Sequence, residues 1–313
     1  MRIYRYILAL VSFFAVYSCS TWQEPQIDEE SIEIFIPRDS LRTDQFSQLF
    51  YWYHVEGAEK YELQIVTPSF DRIDRLILDT NVTDNKFEFT LTPGTYEWSL
   101  RAYNFSSSTG YTVRTLFIDT TTNLAIQKVL LQSPPDRDTT NLTARNFRWQ
   151  SLYNADNYLF EIYQPTINGQ LIHSEKATGN FLNYDVKGEG AFEWHVRAQN
   201  TSGQTGFSTR GFYVDTTAPL MPILQKPAVG VFLPPGNIDF EWTRATNTGS
   251  SVFDTLYVAT DSSFTNIRRK VYSKTGKATA DTLSNGIYYW GVRSFDRAGN
   301  SGTLSLSRQF TVQ

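Results

Sequence analysis

The sequence contains few of the side chains on which most catalytic and metal sites depend. It has a single cysteine, Cys19, and three histidines, His54, His173 and His195, which belong to different parts of the chain. A zinc site or a cysteine–histidine nucleophile needs several such residues close together. The sequence therefore argues against an enzyme and against a metal site, and no cofactor is expected.

Excess positive charge and long apolar runs are also missing. The net charge is −4, with 19% charged residues, so nothing favours nucleic acid as a partner. No glycine-rich phosphate loop is present. After Arg2 and Arg5, an apolar run extends from Tyr6 to Val16, and it is too short to span a bilayer. This run has instead the pattern of a signal-peptide core.

One strand pattern occurs three times. It reads YEWSLRAYN from Tyr96, FEWHVRAQN from Phe192 and YYWGVRSFD from Tyr288. Because the copies are evenly spaced at a domain-sized interval, they predict one domain used three times. Side chains alternate along a strand, so Trp98 and its counterparts share an apolar face, while His195 lies on the outward, mostly polar face. Each copy is thus predicted to pack one face into a β-sandwich core.

The flanking segments predict further strands of the same sandwiches. A phenylalanine and a tryptophan recur two residues apart, as Phe50 and Trp52, Phe147 and Trp149, and Phe240 and Trp242. The first strands end at a proline, which suits a sheet edge, and these prolines are Pro37, Pro134 and Pro227. A tyrosine hydroxyl is expected to fasten the corner before the repeated strand at Tyr96 and Tyr288, whereas Phe192 has no hydroxyl.

The repeated pattern GxYxWxVRAxxxxG, followed by FxVDTTAP, resembles bacterial fibronectin type III and related immunoglobulin-like repeats. The resemblance implies an all-β chain of three tandem antiparallel β-sandwich domains after a lipoprotein signal peptide. The predicted segments are 1–18 for the signal peptide, 19–30 for the lipidated cysteine and tether, and 31–121, 122–217 and 218–313 for the sandwiches. The predicted sandwiches follow one another directly, so the linkers between them are short. Short linkers favour an elongated, semi-rigid rod.

The segment Val16-Tyr17-Ser18-Cys19 resembles a bacterial lipobox. The resemblance implies cleavage before Cys19 and its lipidation, and several acyl chains anchor a protein firmly to a membrane. The alternative is an ordinary secretory signal that contains a cysteine. Ser20 follows Cys19, so the aspartate that often retains lipoproteins at the inner membrane is missing, and we expect the outer membrane, on either face. If Cys19 is lipidated, the mature chain has no free thiol and therefore no disulfide. This favours fibronectin type III domains over immunoglobulin domains, which carry a disulfide between their sheets.

The function is open because this fold serves many functions. The preferred interpretation is a non-catalytic spacer or docking arm that binds another envelope protein. The alternative is a carbohydrate-binding surface lipoprotein that uses exposed aromatic side chains, with a glycan as its ligand. Calcium at the domain junctions, through Asp119, Asp215 and Asp296, is a further hypothesis. Each junction motif offers one carboxylate, however, and a tight calcium site needs several oxygens, so a simple turn is preferred.

A candidate binding surface lies on the third copy of the repeated strand. Tyr289 and Phe295 replace residues that are mostly polar in the other copies, and Arg293 lies between them. Tyr257, on the adjoining strand, has the same outward parity, and Gly291 is expected to leave a shallow gap. Aromatic and arginine side chains are typical of protein hot spots and of sugar-stacking platforms. The alternative is that these rings only stiffen the sheet.

Six tripeptides that begin with aspartate resemble an acceptor motif for bacterial protein O-glycosylation. The candidate acceptors are Ser40, Thr120, Thr139, Thr216, Thr255 and Thr282. Because Asp, Ser and Thr are also common at turns, some of these matches are expected by chance.

Replacing Cys19 by alanine should release the protein from the membrane or misdirect it, because we expect no other anchor in the sequence. The measurement is cell fractionation combined with incorporation of a labelled fatty acid. Ser20→Ala, which keeps the thiol, is the control and should remain membrane-bound and labelled. Unlabelled Cys19→Ala that stays in the outer membrane would show that the anchor is assigned to the wrong residue.

Overall fold

The structure, a computed structural model, describes residues 26–27, 32–165, 167–246 and 249–313. The predicted signal peptide, Cys19 and most of the tether lie outside the described residues. The described chain is all-β apart from one 3₁₀ turn. Within it, no helix has the length and apolar character needed to cross a membrane.

The described residues form 25 strands, β1 to β25. The first eight are β1 Ile34–Ile36, β2 Leu41–Thr43, β3 Ser47–Trp52, β4 Lys60–Pro68, β5 Ile73–Val82, β6 Lys86–Thr90, β7 Gly94–Tyr103 and β8 Thr112–Ile118. After the 3₁₀ turn Leu124–Ile126 come β9 Leu131–Ser133, β10 Asp138–Thr140, β11 Ala144–Trp149, β12 Asn157–Gln164, β13 Gln170–Ala177, β14 Phe181–Asp185, β15 Gly190–Asn200, β16 Gly203–Gln204 and β17 Ser208–Val214. The last are β18 Ile223–Lys226, β19 Val231–Leu233, β20 Gly236–Thr243, β21 Val252–Ala259, β22 Ile267–Ser273, β23 Lys277–Leu283, β24 Gly286–Asp296 and β25 Arg308–Val312.

Each sandwich has a smaller and a larger sheet, and the strand order repeats in all three copies. The smaller sheets run β1-β3-β6, β9-β11-β14 and β18-β20-β23. The larger sheets run β2-β8-β7-β4-β5, β10-β17-β15-β12-β13 and β19-β25-β24-β21-β22, with β16 added beside β15. The prediction of tandem, all-β sandwiches is confirmed.

One pairing in the larger sheets departs from the antiparallel expectation. Strand β10 runs parallel to β17, with Asp138 opposite Phe212 and Thr140 opposite Val214, and β19 runs parallel to β25. Each of these short strands follows the proline that ends the first strand, so the chain crosses there from the smaller to the larger sheet. A three-residue strand is too short for alternation to reveal it.

The contact between the two sheets is made by the recurring aromatic residues. Ring centroids lie close together in the pairs Phe50–Trp98 (4.9 Å), Phe147–Trp194 (5.1 Å) and Phe240–Trp290 (5.1 Å). All six side chains have 0% exposure. The inward face predicted for the repeated strand is therefore confirmed in every copy.

The opposite face of the repeated strand is not the open polar surface that alternation predicts. Its central residue is buried in each copy: Ser99 is 3% exposed, His195 is 1% exposed, and Gly291 is also buried. The rings of Tyr163 and Phe207 lie 5.1 Å and 5.6 Å from that of His195 and cover it. Alternation indicates the direction of a side chain, but it does not indicate what packs over that side chain.

An arginine on the last strand ties the two sheets together in each copy. Its guanidinium donates to a backbone carbonyl of the first strand or of the proline that follows, in the pairs Arg114–Pro37 (2.9 Å), Arg210–Pro134 (3.0 Å) and Arg308–Gln225 (2.8 Å). Hydrogen bonds from charged donors contribute about 1.5–3 kcal/mol each. These arginines therefore link the first and last strands of each sandwich.

An aromatic ring packs at the corner of the repeated strand in both the second and the third copies, although only the third copy has a hydroxyl on that ring. The Tyr288 hydroxyl donates to the Ser284 carbonyl at 3.0 Å, so the predicted corner bond is confirmed there. The Tyr288 ring also stacks on Phe310, with centroids 5.6 Å apart. Phe192 makes the same kind of stack on Phe212, at 5.3 Å. The ring therefore supplies the packing, and the hydroxyl adds a hydrogen bond.

The third sandwich has a buried polar network where the others have a tyrosine. Tyr61 and Tyr158 lie against the tryptophan of the second strand, with centroids 5.1 Å and 5.5 Å apart. At the corresponding register position, the third copy has Asp254, which is 0% exposed. Its carboxylate accepts hydrogen bonds from Trp242 Nε1 (2.6 Å), Arg244 Nε (2.6 Å) and Ser294 Oγ (2.7 Å). Burial of a carboxylate requires such partners.

The chain divides into two compact units. The first comprises the described residues up to 41, with 49–87 and 95–116, and it holds most of the first sandwich. The second comprises residues 42–48, 88–94 and 117–313, and it holds the second and third sandwiches completely. The domain boundaries after residues 121 and 217 stay predictions.

Replacing Trp98, Trp194 or Trp290 by alanine should lower the free energy of unfolding of its sandwich by about 3–5 kcal/mol, the usual cost for a buried large aromatic ring. Native-state hydrogen exchange on the full chain measures this for each sandwich separately. Phe105→Ala is the control, because this ring is 96% exposed and its loss should change the free energy by less than about 0.5 kcal/mol. A loss below about 1 kcal/mol for all three tryptophans would contradict the face assignment.

Candidate functional site

The four residues predicted to form a binding surface lie on one face of the larger sheet in the third sandwich. Tyr257 is on β21, and Tyr289, Arg293 and Phe295 are on β24. Tyr257 stands directly opposite Gly291 in the register of these strands. All four predicted residues are half-buried. The two strands therefore bring the four side chains onto a common face.

The shallow gap predicted beside Gly291 does not exist. Phe264 lies in the turn after β21 and places its ring over the glycine, so that a Cβ at position 291 would lie 2.9 Å from the ring's Cζ. The Ser305 hydroxyl would be 3.3 Å from the same Cβ. The prediction was wrong because it considered only the missing side chain of Gly291, whereas Phe264 covers the glycine from the segment after β21, which ends at Ala259. Beyond that residue the chain turns back over the sheet.

Two further aromatic residues belong to this surface. Phe253 stands opposite Phe295, and their rings stack with centroids 5.8 Å apart and an interplanar angle of 16°. Tyr272, on β22, lies 5.2 Å from Phe253 and is 55% exposed. The three rings form a row across β24, β21 and β22. The parity of Phe253 with Tyr257 in the sequence could have revealed part of this row.

Cations lie beside the aromatic row. The Lys270 ammonium is 5.8 Å from the Tyr257 ring centroid, and the Lys274 ammonium is 6.0 Å from that of Tyr272. Both distances are within the range of cation–π attraction. Arg293 stands opposite Thr255, and its Nε is shielded from solvent and has no hydrogen-bond acceptor among the described residues. The face thus combines aromatic rings with positive charge.

The corresponding arginines of the other two copies have different neighbours, although the Nε of Arg197, like that of Arg293, has no hydrogen-bond acceptor among the described residues. Arg101 forms an ion pair with Glu62 at 2.5 Å, and the Tyr111 hydroxyl donates to the same carboxylate at 2.9 Å. Arg197 lies over the ring of Phe207, at 4.5 Å from its centroid. The third copy therefore differs from the first in the charge that faces this arginine.

The histidines do not form a site. The Nε2 of His195 lies 2.8 Å from a carboxylate oxygen of Glu193. Burial lowers the pKa of His195, although the Glu193 carboxylate acts in the opposite direction. His54 contacts the Tyr61 hydroxyl at 3.2 Å, and His173 stacks on Tyr184 at 4.1 Å. Each histidine thus contacts residues of its own sandwich, and no two of them meet.

Asp215 closes the junction between the second and third sandwiches. It is 2% exposed, and its carboxylate accepts the backbone N–H groups of Ser250 (2.6 Å) and Thr217 (3.1 Å). The Asn300 side chain donates to the Asp215 carbonyl at 2.7 Å. Burial acts to raise the pKa of Asp215, but the hydrogen bonds from Ser250 and Thr217 outweigh it and hold the pKa below its ordinary value. The charged carboxylate is therefore the form that stabilises the junction.

The linker after Asp215 also packs against the third sandwich. A Cβ at Gly302 would collide with the carbonyl oxygen of Pro219, so glycine is required where the linker passes. Gln127 makes a comparable connection before the second sandwich: it accepts from the Phe46 N–H at 2.8 Å and donates to the Asp44 carbonyl at 2.7 Å. The first connection is a close packing contact and the second is a pair of hydrogen bonds, and both lie within the second unit.

The three aspartates considered for calcium do not converge. Asp119 pairs with Arg42 at 2.6 Å, and Asp296 accepts from both nitrogens of Asn300 at 2.9 Å and 2.8 Å. Asp215 is occupied by backbone donors. In the part of the chain that the structure describes, no group of three or more His, Cys, Asp or Glu residues is placed to hold a metal ion. These carboxylates face N–H donors instead.

The candidate glycosylation residues differ in exposure. Ser40, Thr120, Thr216 and Thr282 are exposed. Thr255 is 7% exposed in the middle of β21, so attachment of a sugar there would have to precede folding. Whether any of them is modified stays a prediction.

Thr139 lines an open groove of about 760 Å³ between the second and third sandwiches. Tyr213 and Glu193 contribute to one wall, and Ser251 and Arg297 contribute to the other. A sugar on Thr139 would occupy this groove.

No family model and no curated protein matches the chain. Among solved structures, the FN1–FN3 domains of chicken CNTN1 are 17% identical, over 90% of this chain and 97% of that chain, with a TM-score of 0.42. The fibronectin(III)-like modules of CbhA from Clostridium thermocellum are 14% identical, over 59% of this chain and 94% of that chain, with a TM-score of 0.40.

Replacing Asp215 by alanine should loosen the junction, because two backbone donors lose their acceptor. Unsatisfied buried donors cost about 1–3 kcal/mol, so amide exchange at Thr217 and Ser250 should accelerate about tenfold or more. Hydrogen exchange by mass spectrometry measures this. Asp119→Ala, which changes the same position of the preceding motif, should leave exchange at Thr217 and Ser250 unchanged. Equal exchange in wild type and Asp215→Ala would contradict the role of Asp215.

The stabilisation by Asp215 should also depend on pH. Because its pKa is lowered in the folded protein, the stabilisation is complete above the ordinary aspartate pKa of about 3.9 and is lost as the pH falls through the lower folded value. The difference in unfolding free energy between wild type and Asp215→Ala should therefore be constant near neutrality and shrink only in acid.

Proposed function

We propose that the protein is a non-catalytic lipoprotein of the bacterial outer membrane that acts as a spacer and docking arm for another envelope protein. Fibronectin type III-like sandwiches are compatible with a spacer or protein-interaction function. The observation that carries the proposal is a contrast between copies. All three share the same core ring pairs, but the arginine of the repeated strand is paired with Glu62 in the first copy and stands opposite the uncharged Thr255 in the third.

The connections support a spacer. Asp215 and Gln127 bind backbone groups across their junctions, and Pro219 packs on Gly302. Connections of this kind restrict the independent movement that flexible linkers permit. Contacts of this kind fit a spacer, in which successive sandwiches are held against one another.

The interiors support a function without catalysis. Each sandwich is filled by aromatic rings, and the largest buried side chains include Trp98, Trp194 and Trp290. The three histidines contact residues of their own sandwiches, and the junction aspartates accept hydrogen bonds from N–H donors. Binding by an outward face needs none of these groups to react.

The docking part of the proposal is tested by crosslinking the full chain in intact membranes. A partner protein should be captured by the wild type and lost with Tyr289→Ser combined with Phe295→Ser. The matched control is Tyr103→Ser combined with Tyr111→Ser on the first sandwich, which should retain capture. Circular dichroism must show that both variants remain folded. Retention of the partner by the third-sandwich variant would exclude this face, and capture of glycan alone would favour the carbohydrate-binding alternative.

A further inference from the structure

We propose that the outward face of the third sandwich recognises an acidic protein surface, with a carboxylate of the partner bound at Arg293. This inference rests on the proposed docking function and names the chemistry of the partner. We call the surface the basic face and define it by Phe253, Lys270, Tyr272, Lys274, Arg293 and Phe295.

The basic face is positive although the whole chain has a net charge of −4. The outward positions of β21, β22 and β24 carry Lys270 and Arg293, and none of them carries a carboxylate. Lys274 directly follows β22 and lies over Tyr272. The nearest inward carboxylate on β21, Asp254, is fully buried and is held by Arg244, so it does not neutralise the face. Complementary charge on a partner accelerates association and disfavours wrong partners.

Arg293 identifies where a carboxylate would bind. In the first sandwich, the register position opposite Arg101 is Glu62, and the two form an ion pair at 2.5 Å. In the third sandwich the position opposite Arg293 is Thr255, which has no charge. The Nε of Arg293 has no acceptor among the described residues; the same holds for Arg197, but Arg197 lies over the ring of Phe207. Arg293 is half-buried, so a carboxylate of the partner would bind at the exposed part of its guanidinium and supply the negative charge that Glu62 supplies to Arg101.

The arrangement of the rings favours a protein over a sugar. A sugar stacks on an open aromatic face. Phe253 is flanked by Phe295 at 5.8 Å and by Tyr272 at 5.2 Å, so its neighbours occupy both sides of the ring. Lys270 lies over the Tyr257 ring. The row places these rings next to cations, and aromatic and arginine side chains dominate the energetics of protein interfaces.

The test measures binding of the detergent-solubilised full chain to three fluorescent probes: a random copolymer of glutamate and tyrosine, poly-glutamate, and polygalacturonate as an acidic polysaccharide. We expect the glutamate–tyrosine copolymer to bind most tightly, because it offers carboxylates to the cations and rings to the aromatic row. Binding should weaken as salt is added, since the charges involved are largely exposed.

The decisive variant is Lys270→Glu combined with Lys274→Glu, which reverses two exposed charges without touching the core. It should weaken binding of the copolymer by about tenfold or more, because like charges then face each other. The matched control is Lys60→Glu combined with Lys86→Glu on the first sandwich, where both lysines are exposed, and it should bind as the wild type does. Tyr272→Ser should weaken binding of the copolymer more than it weakens binding of poly-glutamate.

Failure of this inference can be distinguished from failure of the proposed function. If membranes yield a partner that depends on Tyr289 and Phe295 but is unaffected by the double lysine reversal, docking stands and the acidic partner is excluded. If polygalacturonate binds as tightly as the copolymer and Tyr272→Ser has no effect, the face binds polyanions in general and the inference is overturned. The inference would also be overturned if the copolymer bound equally to the Lys270→Glu, Lys274→Glu variant and to the Lys60→Glu, Lys86→Glu control.

Discussion

Each sandwich depends on the contact between a phenylalanine of its smaller sheet and a tryptophan of its larger sheet. These rings are fully buried and about 5 Å apart in every copy, as in Phe50–Trp98. Edge-to-face aromatic pairs contribute about 0.5–1.5 kcal/mol beyond the area that they bury. Because the inward residues hold the sheets together, the outward residues can differ between copies without loss of the fold.

The third sandwich differs from the other two on both faces of one strand, β21. Asp254 points inward and is bound by Trp242, Arg244 and Ser294, while its neighbours Phe253 and Thr255 face the aromatic row and Arg293. The inward carboxylate is thus enclosed by donors, and the outward side keeps its positive charge. One strand therefore supplies a stable interior and a chemically distinct surface in the same copy.

The junction at Asp215 connects the second and third sandwiches by hydrogen bonds. Asp215 places a charged carboxylate where the second sandwich meets the third, and backbone N–H groups from both the linker and the third sandwich satisfy it. Such a contact transmits the position of one sandwich to the next, which a flexible linker cannot do. The third sandwich is thus held against the second by direct hydrogen bonds.

Much of the fold follows from the sequence alone, because the relevant signals are local and occur three times. Strand alternation places Trp98 and its counterparts inward, and the residues before Tyr288 indicate its corner bond. The surface could be predicted only in part. The ring of Phe264 over Gly291, the cover over His195, the network around Asp254 and the donors to Asp215 all join residues from separate segments. Periodicity determines which way a side chain points, but only the tertiary structure decides what lies opposite it, because that neighbour comes from another strand or turn.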